Sequence, residues 1–170
     1  MSDARWADIE ADIAAVTLHF GNAVDLYERG GFDIENHLER YARGYALMHA
    51  MQSGHTSAEA AMRRILDILR EERPTGEDWH KALIARLARP LTGEHARPAL
   101  LPHEVATDLY ETLGFRHRAM HSYGDFDASK AAPAIEAAAR LKDSLPAAVT
   151  GFRETVDPTP PENCSAPGGR

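Results

Sequence analysis

Cysteine is almost absent from this chain. Its one thiol, Cys164, sits in a proline-rich tail, so no intrachain disulfide can form and a reducing cytoplasm is the expected setting. No run approaches the roughly 18 apolar residues that a membrane-spanning helix needs. The N-terminal stretch "MSDARWADIEADIAA" is acidic and amphipathic, with no basic segment leading into an apolar block, so no secretory signal is expected. A basic excess is missing too: formal net charge is −7 with histidine neutral. That excludes a protein whose main work is holding nucleic acid by neutralising phosphates, but not a nuclease with a small local basic site. There is no internal repeat, no convincing strand pattern, no H-E-x-x-H segment and no cysteine pair.

Helical periodicity is present instead. The chain has 170 residues, enough for one domain that buries roughly 70% of its unfolded surface. Ile9, Ile13, Val16 and Phe20 mark one helical face, and Gly30-Gly31 predicts its end. Asp33 is the expected cap of a second helix, with Ile34, Leu38, Tyr41, Tyr45 and Met48 on its core-facing stripe. "QSGHTS" predicts a break. Thr56 or Ser57 would cap a third helix carrying Met62, Ile65, Leu66 and Leu69, closed by "RPTG". A shorter helix is expected over about 77–89, then the loop "RPLTGEHARPALLPH". A helix over 103–121 and a last one over about 128–155 follow, the latter capped by Asp127 and kinked at Pro146. The expected fold is all-α, an antiparallel bundle of five to six helices spanning 1–156, with a disordered tail over 157–170.

One segment carries more chemistry than a helix needs. "FRHRAMHSYGDFD", residues 115–127, falls near the C-terminal end of the penultimate helix and holds Arg116, His117, Arg118, His121 and Tyr123. His117 and His121 share a helical face. Arg116 and His121 differ by roughly 140° on an ideal helix, so two copies paired about a two-fold axis would bring them to one cleft more readily than one copy. Arginine forks onto phosphate oxygens, and histidine takes or gives a proton near neutral pH. The pair suits RNA cleavage by the RNA's own 2′-hydroxyl, with no metal required.

"RHRAMHSY" fits R-x4-H-x-Y at Arg116, His121 and Tyr123. In this it resembles the HEPN superfamily, and within it the HepT toxins of HepT–MntA toxin–antitoxin systems. The acidic "DFD" turn, "DSLPAAV" in the last helix and "GEDWH" at 76–80 extend the resemblance over roughly residues 5–155. Members are all-helical, pair through the motif-bearing helices and act as metal-independent endoribonucleases. The resemblance implies a cytoplasmic homodimer acting on RNA without a cofactor, with Arg116 and His121 as the catalytic pair. It also implies that Tyr123 is the residue a nucleotidyltransferase (MNT-type) antitoxin modifies with AMP. Many members carry Asn or Asp directly after the arginine; here it is His117, an auxiliary imidazole or a lining residue.

Other readings stand beside this one. Arg116 and His121 can be a solvated cationic helix end, favoured by the helix dipole. His117 and His121 can be metal ligands in a DinB-like bundle enzyme, but His49, His55, His80 and His103 are scattered along the chain and no third ligand is evident. A non-catalytic HEPN-type module binding nucleotide or protein is a further alternative. Trp6, Trp79, Tyr41 and Tyr45 read as packing residues, and Tyr123 as packing or modification site. Arg86, Arg89, His95 and Arg97 form a basic segment that guides RNA or is solvated surface. Arg63, Arg64, Arg70 and Arg73, alternating with Glu59, Asp67, Glu71 and Glu72, read as an exposed face with local ion pairs.

Overall fold

The computed structural model describes residues 4–121 and 127–158. Five α-helices follow in order: α1 (Ala4–Arg29), α2 (His37–Ile68), α3 (Trp79–Leu87), α4 (His103–His121) and α5 (Ala132–Val156). A 3₁₀ turn, Ala128–Ala131, leads into α5. No strand forms among the described residues beyond one antiparallel bridge between Leu91 and Arg97. No described helix is long and apolar enough to cross a membrane. The chain is an all-α bundle, as its periodicity predicts.

The α1 stripe packs as expected: Ile9, Ile13, Val16 and Phe20 are all buried. Gly30 and Gly31 stop the helix with φ of 64° and 81°, a conformation that costs glycine little. α1 then pairs antiparallel with two helices. Against α2, Arg64 donates to Asp12 at 2.9 Å and Asp8 at 3.1 Å. Against α5, Thr17 donates to the Lys142 carbonyl at 3.0 Å, Glu10 pairs with Arg153, and the Trp6 indole donates to Asp157 at 2.9 Å. Trp6 is thus a core anchor with its one polar atom satisfied.

The expected break at "QSGHTS" does not occur. α2 runs unbroken through it for 32 residues, so Thr56 and Ser57 are helix interior rather than caps. Gly54 has a packing role there: a Cβ on it would lie 2.5 Å from Cδ1 of Phe20. Glycine costs a helix about 1 kcal/mol relative to alanine, and the close approach of α1 offsets that cost. The cap is also displaced. Asn36, not Asp33, accepts from the Leu38 and Glu39 amides at 3.0 and 3.2 Å. Asp127 does cap the 3₁₀ turn, and α5 continues through Pro146 to Val156.

Much of the stripe assigned to the α2 core faces outward, although Met48 packs against the core. Leu38, Tyr41 and Tyr45 are 73%, 60% and 59% exposed, with Tyr41 stacked on Tyr45 and Tyr45 on His49. Gly44, Leu47, Ala50, Met51, Gly54 and Ala58 are buried instead. Small residues let α1 and α2 approach closely, and the larger aromatic stripe is left outside that contact. The basic loop is corrected as well. Arg97 is buried, paired with Glu71, and donates to the carbonyls of Arg89 and Pro98 at 3.0 and 3.1 Å. Arg86 donates to the Glu72 carbonyl. Two of the four basic groups therefore hold the loop together. The tail from residue 159 lies outside the described residues.

Candidate active site

α4 is fixed to the bundle by its apolar side and by one polar clamp. Leu109, Thr112, Leu113 and Phe115 are buried, and Arg140 of α5 grips Asp108 through Nη2 at 2.7 Å and Nε at 2.9 Å. This places the next residue, Arg116, toward α2. Its Nη1 donates to Glu59 Oε2 at 3.0 Å. The other Glu59 oxygen accepts from His80 Nδ1, which reaches it from the start of α3.

A second imidazole stands behind the carboxylate. His55 is fully buried one turn before Glu59, with Nε2 3.2 Å from Oε1. That is ion-pair distance, but the contact is not aligned as a hydrogen bond. His55 Nδ1 lies 2.9 Å from the Thr112 hydroxyl, which also lies 3.1 Å from the Leu109 carbonyl. Contacts between α2 and α4 thus run in the same order along both helices, His55 with Thr112 and Glu59 with Arg116.

Glu59 is the centre of the cluster, although its sequence neighbours suggest an exposed face. It is 4% exposed. Burial, the largest single influence, pushes its carboxyl up, yet the contacts from His55 and then His80 together hold it below its ordinary value. The carboxylate is thus kept charged in a buried place. Around it, Trp79 stacks on His80 with ring centroids 3.7 Å apart, and the Arg63 guanidinium lies 5.4 Å over Trp79. His117 is exposed on α4 and sets its ring edge-on to His80, 6.2 Å away.

The structure thus joins Arg116 and His117 to three residues that were read otherwise or given no role. His55 and Glu59 were legible as an i, i+4 pair, and His80 lies in "GEDWH", but nothing in the sequence shows that they meet. His121 closes α4, its side chain outside the described ones, and Tyr123 lies outside the described residues. Among the described residues no three His, Cys, Asp or Glu side chains are arranged to hold an ion. His55 and His80 meet at Glu59, whose oxygens already receive N–H donors from His80 and Arg116. His49 sits beside Tyr45 and Ser53 on the exposed stripe.

Chemically, the arrangement is an oriented cation beside two imidazoles. Arg116 uses one N–H on Glu59 and has others in its fork for an anion. The sequence profile of the family described as HepT-like protein matches residues 46–156. That span holds every residue of the cluster. No curated protein and no solved structure matches the chain.

Proposed function

The chain belongs to the HepT-like family, and from that membership together with the Arg116 cluster we infer that it is the ribonuclease toxin of a toxin–antitoxin pair. One observation carries the catalytic part of the reading. The arginine of R-x4-H-x-Y is held by a buried carboxylate with imidazoles beside it, on the helix that ends in His121. A solvated helix end does not need a buried partner for its cation.

In this reading Arg116 binds the scissile phosphate and stabilises the added charge of the pentacoordinate state. His121 moves a proton, and His117 is an auxiliary imidazole beside it. Glu59 touches no substrate; it positions Arg116 from behind. Two copies paired through their motif-bearing helices bring both sets to one cleft. A nucleotidyltransferase antitoxin adds AMP to Tyr123, and the anionic nucleotide blocks RNA by bulk and by charge.

The test is the chemistry of the products. Attack by the 2′-hydroxyl leaves a 2′,3′-cyclic phosphate and a 5′-hydroxyl end, and cleavage should persist in excess chelator. Products with 5′-phosphate ends, or activity abolished by chelator and restored by a divalent ion, would favour a metal-dependent enzyme instead.

A further inference from the structure

We propose that His80 is a catalytic base of this site, oriented by Glu59. The inference rests on the ribonuclease reading and adds a residue to it.

Glu59 Oε1 accepts from His80 Nδ1, so the ring carries a proton on that nitrogen. In the neutral imidazole the other nitrogen, Nε2, is then an acceptor. Among the described residues, no hydrogen bond reaches Nε2. A carboxylate on Nδ1–H fixes the ring's orientation and stabilises the imidazolium that forms when Nε2 takes a proton; this is the role of the aspartate in a serine-protease triad.

Three further contacts support a placed base over a packing histidine. Trp79 covers one face of the ring at 3.7 Å, which limits its rotation. The side chain keeps 18% exposure, so the ring is partly open to solvent. The same carboxylate holds Arg116 on its second oxygen, so one group sets the distance between the imidazole and the phosphate-binding cation. His55, anchored on Thr112, fixes that carboxylate from the buried side. Glu59 and His55 are positioning residues here, and His80 is the one that meets substrate.

Nε2 of His80 takes the 2′-hydroxyl proton as the 2′-oxygen bonds to phosphorus. Arg116 stabilises the pentacoordinate phosphate. The bond from phosphorus to the 5′-oxygen breaks, and His121 gives that oxygen a proton. One proton is taken and one is given, leaving a cyclic phosphate and a 5′-hydroxyl.

The experiment combines a structural and a kinetic reading on the full-length chain. Nitrogen-15 NMR of uniformly labelled protein at slightly alkaline pH should show His80 protonated on Nδ1 and bare on Nε2; the opposite tautomer overturns the proposal whatever the activity. Cleavage of a random-sequence single-stranded RNA pool should then fall at least 10²-fold in His80→Gly, with KM changed far less than kcat. Added imidazole should restore at least tenfold of it, while His80→Gln stays inactive. Rescue of that kind is not expected of a merely structural residue. Full activity in His80→Gln, with Arg116→Ala and His121→Ala inactive, overturns this inference and leaves the ribonuclease reading standing. An inactive wild-type chain carrying no modification on Tyr123 overturns both.

Discussion

Replacing Glu59 with glutamine should destabilise the bundle by about 2–3 kcal/mol at neutral pH. The carboxylate is 6% exposed and takes Arg116 on one oxygen and His80 on the other. Glutamine keeps the shape and one acceptor, but turns an amide N–H toward a donor. Losing one partner of a buried ion pair costs about 3–5 kcal/mol. Arg116 and His80 are 20% and 18% exposed, so water reaches them and the cost falls below that range. The dependence on pH has a definite sign. Glu59 titrates below its ordinary value because the contacts with His55 and His80 outweigh burial, the largest single influence, which pushes it up. The unfolded chain therefore takes up this proton at higher pH than the folded chain. The stabilisation is complete above the ordinary carboxylate range and is lost as pH falls through the folded value. A protonated glutamic acid resembles glutamine, so the two chains should converge in acid. Urea denaturation at a series of pH values measures this, read from midpoints at unchanged slope. A neutral-pH deficit under about 0.5 kcal/mol, or one that stays constant through the carboxylate range, refutes the reasoning.

Gly54→Ala gains about 1 kcal/mol of helix propensity but sets a methyl group against the Phe20 ring, so a net loss of about 1–2 kcal/mol is expected in thermal or urea unfolding. A more stable variant would contradict the close approach of α1. Arg97→Ala should cost about 3 kcal/mol and leave RNA cleavage per folded molecule unchanged, because Arg97 is buried on Glu71. Weaker RNA binding at unaltered stability would return it to a guiding role. Incubation with ATP and a nucleotidyltransferase partner should add one AMP to the intact mass and stop cleavage, with no adduct on Tyr123→Phe. An adduct on that variant places the modification elsewhere.

Much of the fold is written in single-helix periodicity. Ile9 to Phe20, the Gly30-Gly31 stop and the bounds of α4 follow from local rules that tertiary contacts did not override. What failed depended on a neighbour. Gly54 looks like a helix breaker until Phe20 lies over it. Tyr41 and Tyr45 repeat with helical spacing, but spacing does not say which stripe of α2 another helix covers. Glu59 sits among arginines as a surface acid would, and only the arrival of α3 and α4 buries it. Arg116 stands out in the sequence because its residue type, position on the helix and spacing to His121 coincide. The carboxylate that orients it was not, since 57 positions separate the two in sequence.

One comparison decides whether Arg116 and His121 carry out RNA cleavage. Purified wild type, Arg116→Ala and His121→Ala, matched for folding and for oligomeric state, are each given RNA in excess EDTA. Wild type should cleave, and both variants should lose at least 10²-fold of that activity. Equal cleavage by all three would contradict it. So would the absence of cleavage by a wild-type chain whose intact mass shows no nucleotide on Tyr123.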